Sequence, residues 1–151
     1  MLTVDAIREA NISGDFRALR DAVVVDADGT PTPFGEIATQ RQQADLAALD
    51  GARRRVLRAD VPTPAVSRCW SERSRGMAKT TDLALGCLPL LLLPRATPIL
   101  GKWCAADRDQ ARLGRDAFRT LVALNPTLAD YLDIQSNRII STPLGSTVES
   151  I

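Results

Sequence analysis

The residue types best suited to chemistry lie between Glu72 and Asp82, where the chain has the sequence ERSRGMAKTTD. A loop of this kind binds phosphate when successive backbone N–H groups and a helix amino terminus converge on the anion. In such a loop Lys79 contacts the β- and γ-phosphates of a nucleotide, and Thr80 binds Mg²⁺. The sequence therefore predicts a phosphate-binding loop over residues 74–81.

The elements on either side have the order that such a loop needs. Residues 65–70 have strand-like side chains, and residues 80–88 are rich in leucine and alanine, so strand, loop and helix follow one another. The general pattern G-x-x-x-x-G-K-[ST] is incomplete, because Arg73 and Ala78 stand at its two glycine positions. A plain turn at residues 74–76 before a helix is the alternative interpretation.

The use of lysine favours the phosphate-binding interpretation. Of 19 basic residues, all but Lys79 and Lys102 are arginine. A compact ammonium in an arginine-dominated chain indicates a position at which a planar guanidinium does not serve.

Residues 74–81 resemble the variant Walker A loop of phage terminase large subunits, the ATPases that drive DNA into viral capsids. Those loops begin Ser-Arg or Pro-Arg, carry a small residue before the lysine, and end in Lys-Thr or Lys-Ser. The resemblance covers roughly residues 35–151. Its weaker parts are Gln40, residues 47–50, the segment from Cys104 to Ala111, and Gly145 with Ser146.

The resemblance implies an α/β fold, namely a partial P-loop NTPase domain of the RecA-like kind with amino-terminal helices. Residues 1–33 are then a helical segment and linker, and residues 34–151 are the terminase-like part of one incomplete domain. The implied ligands are ATP and Mg²⁺. The implied binding residues are Ser74, Arg75, Gly76, Met77, Ala78, Lys79, Thr80 and Thr81.

Roles within that set also follow from the resemblance. Backbone N–H groups of residues 76–78 form the phosphate cradle, Lys79 supplies phosphate charge, and Thr80 is the metal ligand. Arg75 is the catalytic arginine that stabilises the charge of the transferred phosphate. Either Gln40 or Gln43 reads adenine, or both are ordinary surface glutamines.

The implied partners are double-stranded DNA and either the phage portal or the small terminase subunit. Oligomers are expected only for a full-length protein, which in this family also carries a nuclease. Membrane association is not expected, because the apolar run over residues 83–93 is too short to span a bilayer and no secretory signal precedes it.

Hydrolysis needs further groups that the pattern lacks. Phosphoryl transfer requires a Walker B acid on the Mg²⁺ and a glutamate that orients water, yet no four apolar residues followed by Asp-Glu come after Thr81. The chain is therefore expected to be a truncated product or prophage remnant that does not turn over ATP alone. The remaining nearby carboxylates are Glu72, Asp82, Asp107 and Asp109.

Two alternatives stay open. One is a fragment of another nucleic-acid-dependent P-loop ATPase, of the helicase or recombinase type. The other is a non-enzymatic remnant or interaction domain that binds no nucleotide.

Composition limits the function classes. The 151 residues are of single-domain size, 45% hydrophobic and 25% charged, which indicates a globular chain. Aromatic residues make up only 4%, which argues against a stacking platform for single-stranded nucleic acid. The net charge is only +1, and a chain without overall basicity is not typical of a nucleic-acid-binding protein. The arginines at 53–55 with Arg58 are therefore interpreted as a solvated helix face in preference to a phosphate-binding patch. The arginines at 108, 112, 115 and 119 are interpreted in the same way, in preference to a DNA contact.

Cysteine use indicates a reducing compartment. The three cysteines are far apart and the chain has no histidine, so no zinc cluster is predicted. Buried, reduced thiols at Cys69, Cys87 and Cys104 in a cytoplasmic protein are expected.

Periodicity predicts the remaining elements. Helices are predicted over residues 3–24 with a break at Gly14, from Thr39 as N-cap to about residue 58 with an interruption at Gly51, and from a cap at Asp107 or Asp109 to Asn125. The last helix is predicted to bury Leu113, Ala117, Leu121 and Leu124. A linker or turn is predicted at 26–33, a helix end or kink near Pro89, a largely buried strand at 97–106, and short strands at 131–135, 137–141 and 146–151.

Overall fold

The computed structural model describes residues 1–57, 78–94, 97–105 and 107–150. Helices and strands are mixed, so the α/β class predicted from the sequence is confirmed. The described helices are α1 (Val4–Ser13), α2 (Phe16–Asp21), α3 (Phe34–Ile37), α4 (Gln40–Leu57), α5 (Lys79–Leu92), α6 (Arg108–Leu124) and α7 (Pro126–Ala129). The described strands are β1 (Val24–Ala27), β2 (Thr30–Pro33), β3 (Leu100–Trp103), β4 (Leu132–Ile134), β5 (Arg138–Ser141) and β6 (Thr147–Ser150).

The break predicted at Gly14 is confirmed. Gly14 ends α1 in the left-handed region at φ 71, a conformation that glycine adopts without steric cost, and its N–H donates to Ala10 O. Asp15 then begins α2 by accepting the Ala18 N–H on Oδ1 at 3.0 Å. Two short helices thus form a corner rather than one long helix.

Of the linker or turn predicted at residues 26–33, the turn is confirmed at Asp28 and Gly29, whereas the flanking residues are strands of a β-hairpin. β1 and β2 pair antiparallel, with Val24 opposite Pro33 and Ala27 opposite Thr30. The turn places Asp28 and Gly29 at positive φ, and Asp26 Oδ1 accepts the Gly29 N–H at 2.6 Å. Prolines are tolerated here because a two-stranded ladder leaves N–H positions that need no partner.

The cap of α4 is confirmed and its predicted interruption is wrong. Thr39 Oγ1 accepts the Gln42 N–H at 3.2 Å, while Gln42 Oε1 accepts the Thr39 N–H at 3.0 Å. This reciprocal pair is a capping box. The helix continues through Gly51, since one glycine costs a helix only about 1 kcal/mol and packing of the flanking residues offsets it.

The second sheet has four strands in the order β3-β6-β5-β4. β3 is parallel to β6, with Gly101 opposite Val148, whereas β6 with β5 and β5 with β4 are antiparallel. The three carboxy-terminal strands were predicted correctly. β3 was expected to be largely buried but has alternately exposed and half-buried residues, because within the described part of the chain it lies at an edge of this sheet.

Helices α5 and α6 supply much of the core. Pro89 neither ends nor breaks α5, which continues to Leu92, and Leu85, Leu88 and Leu91 are buried. No helix in the described ranges combines the length and apolar character that a membrane span requires. The amino terminus of α6 is capped as predicted, because Asp107 Oδ1 accepts the Gln110 N–H at 2.8 Å.

The buried stripe of α6 matches the predicted one only in part. Leu121 is buried as predicted, and Ala117 and Leu124 are half-buried. Leu113 is 55% exposed, whereas Phe118, which was not predicted, is buried in the core. The face toward the sheet includes Gly114, where an added Cβ would lie 2.2 Å from the Trp103 ring. The indole of β3 therefore takes the space beside Gly114, which rotates Leu113 toward solvent. The helix ends at Asn125 and Pro126 as predicted.

Candidate phosphate site at the amino end of α5

The predicted phosphate loop lies partly in the described chain. Residues 74–77, which include Arg75, lie outside the described residues. The strand predicted at residues 65–70 also lies outside them. Ala78 precedes the helix, and Lys79, Thr80 and Thr81 form its first turn. The helix predicted to follow the loop is therefore confirmed, and it begins at Lys79.

Ala78 has an unusual backbone at this junction. Its φ of 50 and ψ of 22 are left-handed, a region that costs a residue with a Cβ about 1–2 kcal/mol. Its carbonyl accepts the Asp82 N–H at 3.0 Å, which starts the helical hydrogen bonding of α5. A left-handed residue next to helical ones turns backbone N–H groups toward one side, which is the arrangement that binds anions.

No side-chain oxygen from the N-cap position covers the start of α5, since Ala78 has none. In contrast, α1, α2 and α6 are capped by the side chains of Thr3, Asp15 and Asp107. The first N–H groups of a helix need an acceptor, and they carry the positive end of its dipole. The start of α5 is thus suited to an external anion.

The first turn of α5 is held against the start of α4. Gln42 Nε2 donates to Asp82 Oδ1 at 3.0 Å, and Asp82 is only 4% exposed. Gln42 is itself held by its capping box with Thr39. The contact fixes the amino end of α5 before any ligand arrives.

The glutamines predicted to read adenine behave differently from Gln42. Gln40 is exposed, and Gln43 Nε2 donates to Asp21 Oδ1 at 2.8 Å. Gln42, which sequence analysis did not select, is the glutamine that contacts the first turn of α5. The spacing of Thr39 and Gln42 is the signal that identifies it, because T-x-x-Q is a capping box.

A buried ionic cluster joins α4 to α2 and lies beside α5. Arg20 donates from both terminal nitrogens to the two oxygens of Asp50, each at 2.7 Å. Arg53 donates to Asp50 Oδ1 and to Leu46 O, both at 3.1 Å. An added Cβ on Gly86 of α5 would lie 2.4 Å from an Arg53 nitrogen, so α5 approaches this guanidinium closely.

Burial shifts the pKa values of two groups at this cluster, and charges within the cluster oppose each shift. Burial lowers the pKa of Arg53, although its hydrogen bond to Asp50 opposes this effect. Burial raises the pKa of the Cys87 thiol, and the nearby Arg53 charge partly counteracts the rise. Cys104 is exposed, so the expectation that all three thiols are buried is wrong for it, and Cys69 lies outside the described residues.

The solvated face predicted for residues 53–55 with Arg58 is confirmed only for Arg55, which is exposed, and Arg58 lies outside the described residues. Arg53 points into the ionic cluster, and Arg54 Nε donates to Gly14 O at 2.9 Å. The Arg54 guanidinium also lies 5.3 Å from the centre of the Phe16 ring. The corner between α1 and α2 provides the acceptor for Arg54, and sequence position alone does not reveal that corner.

The arginines of α6 surround one carboxylate. Arg112, Arg115 and Arg119 all lie within 3.6 Å of Asp116 oxygens. Arg115 additionally donates to Ser136 O in the turn between β4 and β5. These contacts neutralise part of the row, in keeping with a surface that is mainly structural.

The carboxylates near the loop occupy separate positions. Asp82 bonds to Gln42, Asp107 caps α6, and Asp109 is exposed in the first turn of α6. Glu72 lies outside the described residues. Among the described residues, no three His, Cys, Asp or Glu side chains lie close enough together to hold a metal ion.

Comparison of this chain with protein-family models, with curated proteins and with solved structures finds no match. The interpretation of the α5 site therefore depends on its own sequence and geometry.

Proposed function

We propose that this chain carries the ATP-binding part of a terminase-like, DNA-packaging ATPase of the P-loop class, with the phosphates at the amino end of α5. The supporting observation is the left-handed Ala78 immediately before a helix that starts at Lys79. Lys79 and Thr80 match the Lys-Thr pair of a Walker A loop. The left-handed turn at Ala78, just before them, is of the kind that directs backbone N–H groups at an anion.

Each residue of the loop has a role in this proposal. Lys79 contacts the β- and γ-phosphates, and Thr80 is the protein ligand of Mg²⁺. Backbone N–H groups of residues 76–78 complete the cradle, and Arg75 stabilises charge on the transferred phosphate. When bound, the metal neutralises phosphate charge.

The strain at Ala78 supports a binding role. A left-handed alanine persists only where the surrounding structure enforces it, and such outliers cluster at ligand-binding sites. Glycine adopts this conformation without the steric cost. Ala78→Gly is therefore expected to retain nucleotide binding, whereas a β-branched residue such as valine is expected to weaken it.

The contact between Gln42 and Asp82 supports preorganisation. A site whose elements are already fixed loses less entropy when a ligand binds. The capping box orients Gln42, Gln42 holds Asp82, and Asp82 belongs to the first turn of α5.

Double-stranded DNA, with the portal or small terminase, is the proposed macromolecular partner of the assembled motor.

Isothermal calorimetry with Mg-ATP tests nucleotide binding. Lys79→Ala should abolish the binding heat, because it removes the cation that contacts the β- and γ-phosphates. Lys102→Ala is the matched control, since it removes the other lysine at a position in β3. Equal binding by wild type and Lys79→Ala would exclude the phosphate-loop assignment. No binding by the wild type would favour an interaction domain without nucleotide.

A further inference from the structure

An open groove runs along the corner between α1 and α2. It is open to solvent, has a volume of about 150 Å³ and is lined by Ala6, Glu9, Ala10, Ser13, Asp15 and Ala18. Ala10 is buried and forms the base, whereas Glu9, Asp15 and Ala18 are exposed at the sides. Alanine methyl groups therefore make part of its floor apolar.

Two carboxylates give the groove a negative rim. Asp15 accepts the Ala18 N–H through Oδ1, and Ser13 Oγ accepts the Asp15 N–H at 3.1 Å, so Asp15 has a defined position. Within the described chain no ion pair engages Glu9 or Asp15.

The same corner already receives one arginine from within the fold. Arg54 Nε donates to Gly14 O at 2.9 Å, and its guanidinium lies over the Phe16 ring. Neither Arg54 nor Phe16 lines the groove, so the groove is a separate space beside this internal arginine. The corner therefore combines exposed acceptors with room for a second cationic side chain.

We propose that this groove docks an arginine side chain of a partner polypeptide. The aliphatic stem of arginine covers the alanine floor, and the guanidinium lies at the rim formed by Glu9 and Asp15. Arginine fits better than a metal ion, since two carboxylates alone do not make a cation cage. The negative rim also disfavours nucleic acid.

The test uses amide NMR shifts and a simple probe. The probe is an acetylated, amidated heptapeptide with one central arginine among alanines, and its control replaces arginine with uncharged, nearly isosteric citrulline. The arginine peptide should shift amides at the groove, with the citrulline peptide several-fold weaker. Glu9→Gln and Asp15→Asn should each weaken binding roughly two- to fivefold, as expected for exposed ion pairs.

The variants are chosen to keep the fold. Asparagine is as good an N-cap as aspartate, and glutamine matches glutamate in helix propensity. Glu36→Gln is the matched control, because it removes an exposed carboxylate from α3, outside the groove. Ala18→Leu fills the groove without changing charge and should also weaken binding.

Four outcomes would overturn this assignment. They are an equal response to citrulline, an equal loss in Glu36→Gln, shifts that map outside the groove, and an absence of shifts at millimolar peptide. Without peptide, amide shifts at the groove residues that change with protein concentration would show that a second copy of this chain occupies the groove. That result would overturn the assignment of a partner polypeptide.

Discussion

Asn125 and Val24 lie 101 positions apart in the chain and exchange two hydrogen bonds. The Val24 N–H donates to Asn125 Oδ1 at 2.8 Å, and Asn125 Nδ2 donates to Val24 O at 2.7 Å. The same Nδ2 donates to Leu121 O at 2.8 Å in the last turn of α6. The fully buried Asn125 amide therefore bonds the backbone of β1 as a neighbouring strand would. The same side chain also bonds the last turn of α6, where the helix ends.

Asn125→Ala should lower the free energy of unfolding by about 2–4 kcal/mol. The substitution leaves the buried N–H and C=O of Val24 without partners, and each unsatisfied buried group costs roughly 1–3 kcal/mol. Urea denaturation followed by circular dichroism measures the effect. Gln110→Ala at an exposed position is the control and should change stability by less than about 0.5 kcal/mol. Equal effects of the two variants would contradict the bridging role.

Asp50→Ala should destabilise the protein by about 3–5 kcal/mol, because it leaves the guanidiniums of Arg20 and Arg53 buried without their carboxylate. Arg20 is fully buried, so water cannot replace the lost contact without rearrangement. Replacing the closest pair together, as Arg20→Met with Asp50→Leu, should cost less than Asp50→Ala alone. Chemical denaturation of both variants tests this order, and the reverse order would show that the pair itself supplies net stability.

Lys102 lowers the pKa of Glu149. The larger part of this effect comes from a hydrogen bond between the two side chains, and a smaller part comes from the positive charge of Lys102. A lowered folded-state pKa means that the pair stabilises the fold above the usual glutamate pKa, and this contribution is lost as pH falls through the lowered value. Lys102→Ala should raise the pKa of Glu149 toward its usual value in a carboxyl ¹³C NMR titration. Lys102→Arg keeps the charge and should preserve most of the lowering. High salt should reduce the effect, because both groups are at the surface.

The purified chain is expected to release no phosphate from ATP in a sustained reaction, with or without DNA. Phosphoryl transfer requires a metal-holding acid and a water-orienting group, and loss of one such group typically costs orders of magnitude in rate. A phosphate-release assay compares wild type with Lys79→Ala, and equal background rates are the expected result. Sustained release that depends on Lys79 would mean that Glu72, Asp82, Asp107 or Asp109 replaces the missing acid.

Local signals in the sequence predicted the features that depend on few neighbouring residues. Gly14 ends α1, Thr39 and Asp107 cap their helices, and Asn125 with Pro126 ends α6. Each of these is decided by backbone freedom or by a hydrogen bond within four residues, so chain context suffices. The start of α5 at Lys79 belongs to the same class.

Only the tertiary structure decided which faces and which distant residues meet. Leu113 faces solvent because Trp103 fills the space beside Gly114, and Arg53 turns inward because Asp50 and α5 lie there. The sheet order β3-β6-β5-β4 and the bond between Gln42 and Asp82 join segments far apart in the chain. Such pairings depend on the balance of packing across the whole core, and propensity and periodicity describe only one segment at a time.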